Sequence, residues 1–144
     1  MSTEEYKAIL RQFFEVLFNA GDLSIADEVA GINYLNHNPV PGELPGREGL
    51  KAFVTYLRTA FPDIHFTIED QVAEGDKVAT RFIGRGTHQA EFAGIPATGR
   101  RIAISAFNIH RVTEGKIEEG WLNWDALGMM QQLGVIPRLG EGGA

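Results

Sequence analysis

At 144 residues, 44% hydrophobic and 22% charged, the chain has the composition of an ordinary globular domain with room for one core and an internal pocket. A net charge of −6 without any basic patch argues against nucleic acid or an anionic membrane surface as partner, and no apolar run is long enough to span a bilayer. The absence of cysteine excludes disulfides and thiolate chemistry, and the opening M-S-T-E-E-Y-K has neither the basic nor the apolar segment of a signal peptide, so a cytoplasmic location is expected.

The first predicted element is a helix over 2–19. Tyr6, Ile9, Leu10, Phe13, Phe14, Leu17 and Phe18 recur at helical spacing, and Ser2 with Glu5 has the capping-box pattern. Asn19-Ala20-Gly21-Asp22 ends it, and a shorter helix is expected over 23–29. Residues 31–46 read as a short strand followed by an irregular loop rich in Pro, Gly and polar side chains. A third helix over 47–60 places Leu50, Phe53, Val54, Leu57 and Phe61 on one face, and Pro62 stops it.

Strands then dominate. Residues 64–73 alternate, Glu74-Gly75-Asp76 is a turn, and 77–88 form a long strand whose Gly84 and Gly86 suggest bending or a bulge. A loop over 89–99 is expected to cover a pocket mouth. Two strands, 102–111 and 116–124, lead into a closing helix over 125–133 and a tail, L-G-E-G-G-A, expected to fray. Helices followed by a sheet make an α+β fold with the helices on one sheet face, and nothing divides residues 1–144 into more than one domain.

The last two strands carry the functional reading. Gly115 suits a three-residue loop, Thr113-Glu114-Gly115, built from a type I turn and a left-handed glycine. That loop sets Val112 opposite Lys116, Asn108 opposite Gly120, Ala106 opposite Leu122 and Ile104 opposite Trp124, with His110 on the same side. The other side carries Phe107, Ile109, Glu119 and Trp121. Both sides are too apolar for open water. One is expected against the helices, and the other, through Phe107, Ile109 and Trp121, against a second copy in a homodimer.

Several motifs occur in a telling order: Leu35-Asn36-His37 before a Pro/Gly loop, P-G-R-E-G-L-K-A-F at 45–53, F-P-D at 61–63, G-T-H-Q-A-E-F-A-G-I-P-A-T-G-R-R at 86–101, E-G-K-I at 114–117 and W-D-A-L-G-M-M-Q-Q-L-G at 124–134. Together they resemble the SnoaL-like polyketide cyclases, or ester cyclases, of the NTF2-like superfamily. The resemblance implies a cone-shaped α+β fold: three N-terminal helices packed on a curved antiparallel sheet, a short C-terminal helix and a largely apolar pocket between them. It also implies a homodimer through the outer sheet face. In the characterised cyclases an Asp on the last strand serves as acid/base for an intramolecular aldol ring closure, supported by a His on the preceding strand. Aligned through E-G-K-I and Q-Q-L-G, these positions are Leu122 and Asn108 here. Leu122 cannot move a proton, and Asn108 can only exchange hydrogen bonds.

The remaining candidates are weighed one by one. His110 shares the face of Asn108 and is a candidate general base, unless it is exposed near the turn or paired with Glu118. His88 either lines the pocket mouth or satisfies backbone groups of the 89–99 loop. Tyr34, Asn36, His37 and Asn38 would suit a ligand carbonyl or hydroxyl, although Asn side chains also cap tight turns. Asp125 is a substitute acid/base or, more simply, an N-terminal residue of the closing helix. Trp124 is a pocket residue and Trp121 an interface residue, and Met129 and Met130 are packing residues. The four His are dispersed without metal-ligand spacing, and no phosphate loop, nucleophile elbow or dinucleotide fingerprint occurs, so no cofactor or metal is expected. Three functions stand: a cofactor-free cyclase, isomerase or hydrolase acting on a small apolar or aromatic carbonyl-bearing molecule, a non-catalytic protein that binds one, or a structural dimer whose cavity has closed with side chains.

Overall fold

A computed structural model describes residues 1–138 and 140. The expected fraying of the tail therefore falls largely outside the described residues.

Ser2 closes the capping box: its hydroxyl accepts from the Glu5 amide at 3.1 Å, and the Glu5 carboxylate accepts from the Ser2 amide at 3.2 Å. Helix α1 runs Thr3–Gln12 and continues as a π-helical segment, Phe13–Asn19, in which hydrogen bonds reach five residues back, as from the Ala20 amide to the Glu15 carbonyl. The widened turn keeps Phe13, Phe14, Leu17 and Phe18 all buried. α2 (Ile25–Val29) leads into β1 (Ala30–Asn36), and α3 spans Gly46–Ala60. Then come β2 (His65–Glu74), β3 (Lys77–Thr87), β4 (Arg101–Thr113), β5 (Lys116–Trp124) and α4 (Ala126–Gln132).

The five strands form one sheet in the order β1-β5-β4-β3-β2. β2 through β5 are antiparallel neighbours, but β1 joins the edge parallel to β5, so the sheet is mixed rather than wholly antiparallel. The parallel partner of β1 is the last strand, reached only after α3 and the antiparallel run β2–β4, so no tight turn has to join the two. Along β4 the burial alternates without a break: Ile102, Ile104, Ala106, Asn108, His110 and Val112 are covered, while the residues between them face outward. α1, its π-helical continuation and α3 supply the covering side chains.

The β4–β5 hairpin departs from the expected register by two residues. Its loop is only Glu114-Gly115, both at positive φ (52° and 78°), with Thr113 opposite Lys116. That shortening alone would turn every β5 side chain to the wrong face. A bulge at Glu118, between the Val112–Ile117 and Arg111–Glu119 pairs, restores the phase. The result pairs His110 with Gly120, Asn108 with Leu122 and Ala106 with Trp124. Beyond the bulge each residue keeps its expected face with a different partner, whereas before it Ile117, not Lys116, lies inward opposite Val112, and Glu118 is not the neighbour of His110.

The expected bulge near Gly84 and Gly86 lies instead on β2, at Glu69, where the β2–β3 register shifts. The two glycines admit close neighbours: a Cβ on Gly84 would meet the Phe66 ring at 2.7 Å, and one on Gly86 would meet Phe61 and Ile64 at 3.2 Å. β5 ends opposite Ala106, which leaves Ala103 of β4 without a strand on that side. The Gln132 side chain of α4 takes its place, accepting from the Ala103 amide at 2.7 Å and donating to its carbonyl at 3.1 Å. This pins α4 across the end of the sheet, where Met129 and Leu133 complete the core.

Candidate functional site

Between the helices and the inner face of the sheet lies a cavity of about 130 Å³. Most of its wall is aromatic or aliphatic. Phe13, Phe14 and Phe18 come from the π-helical segment, Phe66 and Phe82 from β2 and β3, and Leu122 and Trp124 from β5. A space of this size is comparable to one that accepts a single benzene ring.

The polar groups gather from β1, the loop after it, and β4: Tyr34, Asn36, Asn38, Glu43 and Asn108. Strand alternation explains the first of these, because Tyr34 and Asn36 are two residues apart and point the same way. Asn36 is held at both ends of its amide. Its Nδ2 donates to the Glu43 carboxylate at 2.8 Å, and its Oδ1 accepts from the Asn38 amide at 2.9 Å. The Asn38 Oδ1 in turn accepts from the Leu122 amide at 2.9 Å, which ties the loop to β5. Asn108 is 5% exposed, and its amide makes no hydrogen bond to another described residue.

Glu43 is the one charged side chain on this wall among the described residues, and no local periodicity in V-P-G-E-L-P marked it in advance. Burial raises its carboxyl above the usual range, opposed by the Asn36 hydrogen bond and a backbone contact to Val40. Tyr34 stays protonated far above neutrality, chiefly because it is buried and also because Glu43 is near. Among the described residues no lysine or arginine lines the cavity, and Arg47 and Lys51 of α3 are bound to Asp27 at 3.3 and 2.8 Å.

Four of the expected site residues lie elsewhere. His37 follows Asn36 by one position, so it points through the sheet to the outer face. There its Nε2 meets Glu119 at 2.7 Å and its ring stacks on Trp121, 4.7 Å between centroids and 3° between planes. The resemblance includes His37 and so places it with Tyr34 and Asn36, whereas the alternation of β1 turns it to the opposite face. His110 is fully buried beneath the cavity wall, 5.1 Å from the Phe13 ring and packed against Gly120. Neither ring nitrogen has a partner among the described residues, and burial lowers its pKa to about 3. It is a neutral core residue at neutral pH and does not reach the cavity.

His88 is fully buried and stacks on Phe61 at 5.2 Å. Its Nδ1 accepts from the Thr98 amide at 3.2 Å, which puts the ring proton on Nε2 and makes His88 a clasp for the 89–99 loop. Asp125 caps α4, accepting from the Gly128 amide at 2.8 Å, and is exposed on the far side of β4. The 89–99 loop does reach the cavity, through Phe92. Among the described residues no group of three or more His, Asp or Glu is placed to hold a metal ion, and no helix is long and apolar enough to cross a membrane.

Comparison with known proteins decides the family. The profile of the SnoaL-like polyketide cyclases matches residues 8–133, nearly the whole of the chain. The chain belongs to that family. Aklanonic acid methyl ester cyclase DnrD of Streptomyces peucetius is 33% identical over 133 residues, covering 88% of each chain. DauD, of the same name, from Streptomyces strain C5 is also 33% identical, over 88% of this chain and 80% of that one. Among solved structures, TsrD of Streptomyces laurentii superposes with a TM-score of 0.87 at 28% identity, over 94% of this chain and 99% of that one. IdmH of Streptomyces antibioticus, described as a candidate polyketide cyclase, gives 0.77 at 36% identity over 90% and 98%. The SnoaL-like fold thus accounts for the mixed sheet, the covering helices and the short closing helix. Within it, Asn108 and Leu122 form adjacent parts of one cavity wall.

Proposed function

We propose that this member of the family is a cofactor-independent, cyclase-like enzyme for a small, largely apolar or aromatic molecule bearing carbonyl groups. The observation that carries the reading is Asn108. It is 5% exposed and lines the cavity, on a wall that is mostly aromatic or aliphatic, so its amide is open to a ligand rather than to bulk water. A ligand carbonyl accepting from its Nδ2 satisfies it, while the phenylalanines hold the rest of the molecule. The relatives named aklanonic acid methyl ester cyclase support a methyl ester as part of that ligand and ring closure as the reaction.

The test is turnover of methyl esters that carry a 1,3-dicarbonyl side chain on one aromatic ring, followed by chromatography and mass spectrometry. Ring closure above the buffer rate, reduced in Asn108→Ala, is the expected result. A wild-type protein that neither binds nor converts any of these esters overturns the reading. Leu122 favours a second one, a protein that binds such molecules and returns them unchanged, because the position the resemblance gives to the acid/base carries an alkyl side chain. Both readings include a homodimer through the outer sheet face, where Phe107, Ile109 and Trp121 are exposed side by side.

A further inference from the structure

Leu122 leaves a cyclase without its expected proton carrier, and the fold supplies another candidate from a different element. We infer that Glu43, on the loop between β1 and α3, is the group that moves the proton in this cavity, with Asn36 as its positioning residue. The inference rests on the proposed carbonyl-bearing substrate and assigns the chemistry to a loop rather than to β5.

Four features of the site point to Glu43. It stands on the wall of an apolar cavity and is the one charged group there among the described residues. Asn36 holds one of its carboxylate oxygens at 2.8 Å and is itself fixed by the Asn38 amide, so the carboxylate is held in place. Tyr34, the other titratable group facing the cavity, stays a neutral donor. Partial burial makes Glu43 a stronger base than a solvated carboxylate, which suits proton abstraction beside a carbonyl.

The step balances without a cofactor. The Glu43 carboxylate takes a proton from the carbon between two carbonyls, so a C–H bond breaks and an O–H bond forms. The electron pair enters the enolate, whose oxygen is stabilised by a hydrogen-bond donor such as the Asn108 amide. The enolate carbon attacks a third carbonyl of the same molecule, a ketone or aldehyde beyond the two that flank it, forming a C–C bond and an alkoxide. Glu43 returns its proton to that alkoxide, and the product is an isomer of the substrate.

A structural role for Glu43, merely closing the loop onto Asn36, predicts a different outcome. The probe is ethyl benzoylacetate in deuterated buffer, with exchange of its α-protons followed by NMR and its binding followed by calorimetry. Wild type should exchange the protons above the buffer rate. Glu43→Gln, which preserves size and the acceptor for Asn36, should bind the ester within about threefold yet lose roughly 100-fold or more in enzyme-dependent exchange. Glu43→Asp should recover part of it. Exchange unchanged in Glu43→Gln, with wild type active, overturns the assignment while leaving the proposed function intact. A wild type that binds the ester without exchanging it also overturns the assignment and favours the non-catalytic reading. A wild type that does not bind it, and closes none of the methyl esters above, overturns both.

Discussion

Asn108 and Leu122 lie directly opposite one another on β4 and β5, and both face the cavity. One brings a hydrogen-bonding amide with no protein partner and the other an alkyl group, so this stretch of wall can bind a carbonyl oxygen but cannot relay a proton. Replacing Asn108 therefore separates stability from ligand handling. Asn108→Leu removes a buried polar group and should leave stability unchanged or raise it by about 1 kcal/mol in urea denaturation. Asn108→Ala should weaken binding of a neutral carbonyl ligand by several-fold to about tenfold, the equivalent of one hydrogen bond of about 0.5–1.5 kcal/mol. Unchanged affinity in calorimetry would remove Asn108 from the ligand site.

Glu43 should affect activity and stability in opposite directions with pH. Its folded pKa is raised above the ordinary 4.5, so between those two values the folded chain holds a proton that the unfolded chain releases. Stability from this group is present below 4.5 and is lost as pH rises through the raised value. Glu43→Gln should therefore melt at higher temperature than wild type at pH 7, with the difference closing near pH 4. Catalysis runs the other way, since the base works only when deprotonated. The wild-type rate should fall as the pH is lowered through the same window. A melting difference that does not depend on pH would contradict the burial of this carboxylate.

His110 predicts acid lability. Its pKa falls from 6.5 to about 3 because it is buried, so in that interval the unfolded chain binds a proton that the folded chain refuses. The stability is complete above pH 6.5 and declines toward pH 3, by about 4–5 kcal/mol in all. That is a large share of the roughly 5–15 kcal/mol typical of a domain. His110→Leu should flatten the acid limb of a stability-against-pH curve. An acid limb identical to wild type would show that His110 is protonated in the folded state.

The hairpin has one tight contact and one strained residue. A Cβ on Gly120 would come within 2.6 Å of His110 Cδ2 and 2.8 Å of Nε2, and the buried ring has nowhere to move. Gly120→Ala should cost about 1–3 kcal/mol through overpacking. Glu114 sits at φ 52°, in the left-handed region that Asn tolerates better. Glu114→Asn should stabilise by up to about 1 kcal/mol. Chemical denaturation of the two variants checks both, and a stabilised Gly120→Ala would refute the packing described.

The outer face should govern assembly and leave the cavity alone. His37 stacks on Trp121 and bonds Glu119, which also accepts from Arg111 at 2.7 Å, beside exposed Phe107 and Ile109. Trp121→Glu should give a monomer or an insoluble protein, whereas His37→Ala should alter association and leave ligand affinity within about twofold. Sedimentation of wild type as a monomer at micromolar concentration would exclude the dimer.

Which residues share a face was legible in the sequence because burial on a strand has a period of two. Alternation alone put Ile104, Ala106, Asn108 and His110 on one side of β4 and Phe107 and Ile109 on the other, whereas both sides are apolar and the resemblance made the first of them the cavity wall. The capping box at Ser2 and Glu5, the stop at Pro62 and the cap at Asp125 were legible for a similar reason. Each is satisfied by neighbours within a few residues, so a local pattern is the whole of the cause. The resemblance carried by the ordered motifs pointed to the fold and singled out Leu122, which lines the cavity.

Partners across the sheet were decided only in three dimensions. The two-residue turn and the Glu118 bulge each shift the hairpin by one residue, and composition does not distinguish their sum from the three-residue loop expected. Because the two shifts add to an even number, the faces survived while the pairs changed. The parallel entry of β1 beside β5 likewise depends on a contact between distant segments, and it sends Asn36 inward and His37 outward. Glu43 was silent in the sequence for the same reason. A lone glutamate in a proline-rich loop has no periodicity, and it becomes part of the cavity only because Asn36, seven residues earlier, reaches across to hold it.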